Sequence, residues 1–312
     1  MIEGPTVFIL GAGAACPYGF PSAKDLRQQI CFDFPGQYFQ WLINYKIDKE
    51  QRVARHEHAV DFSKKFFDSH DSSIDIWLSK NREFWRIGKI AITLMLLQAE
   101  HQSGFAEKSK KPDQDWYSYI WSKMTEDFTD LNDYKRFSEN QIDFIIFNYD
   151  RSVEQFFFES LRYGFFGAGN DTIIEELNKR KFIHVYGKIA PLEWQAPDNI
   201  PYRTPPGYIN LADFAHNLKI VYEAEDDPQL EAARSLIQKA KRIFFLGFGY
   251  RKENLKILKI PDILGSRHKV YGTALNYTKK EVADVKSLFR VCVPVNLNIV
   301  NTDCLGLLRE YL

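Results

Sequence analysis

The chain of 312 residues has no excess of either charge. Its 41 Lys and Arg stand against 41 Asp and Glu. Without a positive surplus there is no general electrostatic pull toward nucleic acid or an anionic membrane, so direct nucleic-acid binding is not expected. Cysteine is scarce: Cys16, Cys31, Cys292 and Cys304 are the four, and none forms a CxxC pair. That spacing excludes a zinc ribbon, and the scatter suits reduced thiols in a cytoplasmic protein. Long apolar runs are missing as well. The N-terminal MIEGPTVFIL carries an acidic residue and a brief apolar stretch, which reads as a buried first strand and not a signal peptide. IAITLMLL (Ile90 to Leu97) is too short to span a bilayer, so a soluble protein without a membrane partner is expected. There is no internal repeat and no low-complexity tract.

What is abundant is apolar and aromatic. Hydrophobic residues make up 45% and aromatics 15%, enough for a substantial core. With no basic excess, the rings are expected to fill a helical core or a subunit interface, not to stack on bases. Val7 to Leu10 reads as the first strand, followed by a turn and a helix starting near Ser22 with Asp25 in its first turn. From there to about Tyr134 the pattern holds no convincing strand. Between Ser72 and Glu100, Ile74, Trp77, Leu78, Trp85, Ile92 and Leu96 recur at intervals built from three- and four-residue steps, the spacing of a helix. AEKSKKPDQ (Ala106 to Gln114) reads as a solvated loop, and Asp115 as the cap of a helix running to Met124.

Beyond that point strands and helices alternate. Strands are expected at Ile142 to Phe147, Phe182 to Tyr186, Arg242 to Gly247, Lys269 to Gly272, Val291 to Pro294 and Asn298 to Val300. Helices follow most of them, including Ser152 to Leu161, Asp227 to Ala240, one from Glu253, Lys279 to Leu288 and one from Asp303. Alternation of this kind predicts an α/β fold: a Rossmann-like, doubly wound parallel sheet. Residues 1–24 and 139–312 would form that core, with a mostly helical insertion at 25–138.

Four segments place small or polar residues directly after an apolar run, where a parallel strand ends and a ligand can sit. FILGAGAACPYGFP (Phe8 to Pro21) holds Gly11, Ala12 and Gly13, whose backbone can approach a pyrophosphate closely; it also reads as a plain strand-to-helix turn. IIFNYD (Ile145 to Asp150) leaves Asn148 and Asp150 at the sheet edge, where Asp150 equally suits a helix cap and Asn148 a turn. HVYG (His184 to Gly187) supplies a His that is either structural or catalytic. FFLGFGYRKENL (Phe244 to Leu255) gives a second glycine turn, Gly247 and Gly249 with Asn254 behind it, suited to the adenosine end of a dinucleotide or to an ordinary tight turn. The HEH at His56 to His58 lies in a polar helical stretch without a third ligand and reads as surface.

Taken together, the ordered set GAG, strand-N-x-D, H-x-x-G and strand-GxG resembles the sirtuin family. It is more similar still to the bacterial sirtuin-like domains that hydrolyse NAD in antiphage defence. PYGFPSAKDL, SIDIWLSKNREFWRIGKIAI, DWYSYIW, FNYDRSVE, VYGTALNYTKKEV and TDCLGLLREYL carry the resemblance over nearly the whole chain, from Phe8 to Leu312. It implies that Gly11, Ala12 and Gly13 bind the diphosphate, that Asn148 holds the nicotinamide ribose and the attacking water, and that His184 is the catalytic histidine beside the ribose. Asp150 would read the nicotinamide carboxamide, Gly247, Gly249 and Asn254 would hold the adenosine half, and Thr273 with Asn276 would line the far side.

Two departures matter. Ala15 stands where the family usually has Ser, and the zinc-ribbon cysteines of deacylating sirtuins are absent, as is their FGE-type loop. The implied activity is therefore NAD+ hydrolysis with release of nicotinamide, NAD serving as substrate and no zinc being expected. Deacylation of protein lysines and a catalytically silent nucleotide-binding scaffold are the alternatives. The resemblance further implies a homo-oligomer, a HerA-type ATPase as partner, and an activity held off until triggered.

Overall fold

The computed structural model describes residues 1–103, 112–165, 167–220, 223, 228–289 and 296–312. The chain divides into two compact units, each drawn from separate stretches of sequence. One comprises Met1–Tyr18, Gly104–Val185 and Glu225–Leu312, and the other Gly19–Ser103 and Tyr186–Ala224.

The first unit is built on a six-stranded parallel sheet. Its strands are β1 (Thr6–Leu10), β2 (Ile142–Ile146), β3 (Phe182–His184), β4 (Arg242–Leu246), β5 (Lys269–Thr273) and β6 (Asn296–Val300). Their spatial order is β3-β2-β1-β4-β5-β6. This is the doubly wound order of dinucleotide-binding folds, with the topological switch point between β1 and β4. The expected α/β Rossmann-like fold is therefore the fold of this chain.

The central strands are mainly apolar, each with one polar residue near its start, because the helices of a doubly wound fold cover both faces of the sheet. β1 is buried at all five positions. In-register pairing places Phe182, Phe144, Phe8, Phe244 and Tyr271 side by side on one face. Phe8 at the centre meets Phe144 at 5.6 Å and Phe244 at 5.3 Å, both edge to face. These rings line the sheet, whereas the composition predicts a helical core or a subunit interface.

Helices α1 (Ala23–Phe32), α2 (Phe34–Asn44), α3 (Lys49–Asp68), α4 (Ile74–Lys80) and α5 (Trp85–Gln102) belong to the second unit. Helices α6 (Trp116–Thr125), α7 (Ser152–Gly164) and α8 (Asn170–Asn178) belong to the sheet unit. Then α9 (Leu211–Ala215) returns to the helical unit, while α10 (Pro228–Lys239), α11 (Lys252–Ile257), α12 (Lys279–Ser287) and α13 (Cys304–Tyr311) complete the sheet unit.

Ser22 caps α1 in a reciprocal box with Asp25, and Asp115 caps α6 through Ser118, as their positions predict. The stretch from Ser72 to Glu100 forms two helices, not one. Asn81 leaves helical geometry and its amide donates to the Trp77 carbonyl at 2.7 Å, so the first helix ends there. Between Thr6 and Tyr134 no strand other than β1 occurs among the described residues. Val291 to Pro294 and most of the loop at Ala106 to Gln114 lie outside the described residues.

The observed division does not follow the expected boundaries at 25 and 138. Trp116 on α6 packs 6.3 Å from Phe8, and its Nε1 donates to the Ala14 carbonyl at 2.8 Å, so α6 covers the sheet. Conversely, the Pro-rich stretch after β3 groups with the helical unit. There Trp41 Nε1 donates to the Ile209 carbonyl at 3.0 Å. No helix among the described residues is long and apolar enough to cross a membrane.

Candidate active site

Parallel strands all present their carboxyl ends to one edge of the sheet, and the polar residues that follow β1, β2, β3 and β4 meet there. At the switch point the two glycine turns interlock. Gly11 N–H donates to the Leu246 carbonyl and Gly13 N–H to that of Gly247, both at 3.0 Å. A Cβ on Gly11 would stand 2.5 Å from the Gly247 oxygen, and Gly247 itself has φ +54° with its α-carbon against Gly13 and Ala14. These glycines allow main chain to lie on main chain, and the N–H donation expected of Gly11 and Gly13 toward a diphosphate is taken up inside the protein. Ala14 and Ala15 likewise donate to the carbonyls of Gly11 and Ala12.

Asn148 reaches across from the end of β2. Its Nδ2 donates to the Gly11 carbonyl at 2.9 Å. Its Oδ1, by contrast, is buried without a hydrogen-bond partner among the described residues. An orphaned buried acceptor is uncommon and asks for an explanation, such as a ligand or water that completes it.

His184 at the end of β3 lies beside it. The imidazole Nδ1 is 3.2 Å from the Asn148 main-chain oxygen, and Nε2 is 3.0 Å from Glu154 Oε2. A carbonyl can only accept, so Nδ1 carries the hydrogen in the first contact. The second contact then holds one proton shared between imidazole and carboxylate, and the pair is net neutral wherever that proton sits. Both partners are buried, with side-chain exposures of 5% for His184 and 0% for Glu154.

Asp150 takes the capping geometry that its position after a strand allows. Its Oδ1 accepts from the Ser152 N–H at 3.1 Å and from the Ser152 hydroxyl, at the start of α7. The Tyr117 and Ser152 hydroxyls are 2.7 Å apart, extending this network onto α6. Burial pushes the Asp150 carboxyl above its ordinary range, opposed by the bonds from Ser152. Burial also raises the Tyr117 phenol, with the Asp150 charge adding to the rise.

The far side of the switch point is held by Thr273. Its hydroxyl accepts from the Gly247 N–H at 2.9 Å, and its main-chain oxygen accepts from the Tyr250 hydroxyl at 3.0 Å. Gly249 stands in open space, with Asn254 Nδ2 at 3.4 Å from its carbonyl. Asn276 is placed by its N–H bond to Asn301.

The structure therefore brings Gly11, Asn148, Asp150 and His184 together, joined to Gly13, Gly247 and Thr273 by hydrogen bonds along the same edge. Glu154 was missed in the sequence reading. A Glu in the first turn of a helix is so common as a dipole partner that nothing in SVE marks it as a partner of His184. His56 and His58 lie on α3, and among the described residues no three His, Cys, Asp or Glu side chains gather as a metal site. Cys31 and Cys304 are free thiols, and the Cys16 thiol donates to the Ala12 carbonyl at 3.5 Å.

Set beside protein-family models and curated proteins, the chain matches none of either.

Proposed function

We propose that the chain is an NAD+ glycohydrolase that takes NAD+ at the carboxyl edge of the sheet and releases nicotinamide. The observation that carries the reading is Asn148. Its amide nitrogen is fixed on Gly11, while its Oδ1 is a buried acceptor without a donor among the described residues, next to an imidazole–carboxylate pair at the switch point of a dinucleotide-binding fold.

The pyridinium charge already weakens the nicotinamide–ribose bond. Its electron pair leaves with the ring nitrogen, giving neutral nicotinamide and an oxocarbenium-like ribose, and the oxygen of water then bonds to the anomeric carbon. The enzyme's work is orientation and electrostatic support. In this reading Asn148 Oδ1 accepts from the attacking water or a ribose hydroxyl, and the His184–Glu154 pair takes the proton that the water gives up. Gly11 to Gly13 form the tight floor, Asp150 meets the nicotinamide carboxamide, and Gly249 with Asn254 flanks the adenosine half.

The biological role we infer is that of an antiphage effector that depletes NAD+, working as a homo-oligomer beside a HerA-type ATPase. It rests on the sequence resemblance. An activity toxic to its host must be held off until triggered, and burial of the reacting groups suits that: Asn148, Asp150 and His184 are only 8%, 6% and 5% exposed.

The test is nicotinamide release from NAD+ by the purified protein, alone and with its neighbouring gene's product. Asn148→Ala and His184→Ala are expected to abolish release while keeping the far-ultraviolet spectrum and unfolding cooperativity of the parent. Full turnover in both variants overturns the assignment, and NAD+ consumption that requires an acyl-lysine peptide would make the protein a deacylase.

A further inference from the structure

The helical unit contains a cavity of about 420 Å3 among α2, α3, α5 and α9. Its wall is aromatic on one side. Tyr38 and Trp41, both buried, stack at 5.6 Å and 8°, and Trp41 continues onto the half-buried Tyr45 at 4.8 Å and 21°. The remaining lining includes two exposed arginines, Arg55 from α3 and Arg86 from α5. Among the described residues neither guanidinium has a carboxylate partner. Arg55 bonds the Gln51 side chain at 3.3 Å and lies against the Tyr38 hydroxyl.

A second cavity, of about 270 Å3, shares Arg86 with the first and adds Trp85, Lys89 and His216. Arg86 thus stands where two compartments meet. The pairing of features narrows the ligand. A purely apolar molecule makes no use of the two arginines, and a bare anion leaves the aromatic wall unused. A guanidinium offers a planar fork matched to phosphate oxygens. The faces of Tyr38 and Trp41 are covered by Phe34, by each other and by Tyr45, so these two rings offer a flat heterocycle their edges, and Tyr45 ends the stack. The volume lies in the range of small-ligand pockets.

We propose that this cavity is a nucleotide-binding site separate from the sheet edge, with the base against Tyr45 and the edges of Tyr38 and Trp41 and the phosphate clamped by Arg55 and Arg86. The site owes nothing to the NAD+ reading and stands whether or not that reading holds.

The probe is AMP, titrated calorimetrically into the full chain, with adenosine and inorganic phosphate as separate arms. AMP is expected to bind at least tenfold more tightly than either fragment. Arg55→Glu and Arg86→Glu, which alter exposed side chains outside the packed core, should each weaken AMP at least tenfold with circular dichroism unchanged. Asn148→Ala should leave this binding untouched, which separates the site from the one at the sheet edge. Absence of AMP binding, fragment binding as tight as AMP, or parental AMP affinity in both arginine variants overturns the proposal.

Discussion

The imidazole of His184 is held at both ends, by the Asn148 main-chain oxygen at 3.2 Å and by Glu154 at 3.0 Å. Each contact fixes a different ring nitrogen, so the ring has neither rotational freedom nor a choice of tautomer at Nδ1. A histidine so placed acts as one half of a unit, and the other half is a residue on α7.

Removing the charge of that second half tests the unit directly. Glu154→Gln keeps the volume and the hydrogen bond but cannot accept a proton. If the pair serves as the base, kcat for nicotinamide release falls by about 100-fold or more while KM for NAD+ stays close to parental. A fall in stability alone, with kcat per folded molecule unchanged, would reduce Glu154 to packing. Steady-state kinetics alongside urea unfolding separate the two.

The interlocked turns make a contrast between neighbouring glycines. Gly247 combines positive φ with main chain pressed against its α-carbon, whereas a Cβ on Gly249 meets nothing within 4 Å. Gly247→Ala is expected to cost about 2 kcal/mol or more, since strained backbone and steric overlap add. Gly249→Ala should leave the unfolding midpoint near parental and raise KM for NAD+ if the adenosine half passes over it. Equal unfolding midpoints for the two variants would contradict this account of the turn.

Asp150 gives a pH signature. Its folded-state carboxyl titrates above the ordinary value of 3.8, chiefly because it is buried. The folded protein thus binds this proton more tightly than the unfolded chain. The stabilising contribution is whole below the unfolded value and is lost as pH rises through the higher folded value. Asp150→Asn keeps an acceptor for the Ser152 N–H and cannot ionise. Its stability relative to the parent should therefore climb as pH is raised from the carboxylate range toward neutrality. Urea midpoints measured in parallel across that window decide it, and a gap that stays level or shrinks with rising pH refutes the assignment.

Much of the sheet was legible in the sequence because its strands are buried on both faces. VFIL, FIIF and IFFL are continuous apolar runs ended by Gly or Asn, and each runs through a strand of the parallel sheet. The helical reading of Ser72 to Glu100 had the right period but not the break, since one Asn that turns its amide onto a nearby carbonyl has no periodic signal. The unit boundaries were less legible for a similar reason. α6 reads as one more amphipathic helix, and only its Trp116 contacts assign it to the sheet. At the site, Asn148, Asp150 and His184 stood out by their place at strand ends. The reason for the glycines did not, because the surface that demands them is the other turn, far away in sequence. Glu154 was hidden among ordinary first-turn acids.

One consequence follows from how the strand ends are tied. From Thr273 through Gly247 and Gly13, and from Gly11 through Asn148 to His184, each link is a hydrogen bond in which main chain takes part. The gap between the groups that would grip a bound molecule is therefore set by strand spacing, which is nearly fixed at about 4.8 Å. Under the proposed function the sheet edge would serve as a gauge that selects a bound molecule by its length.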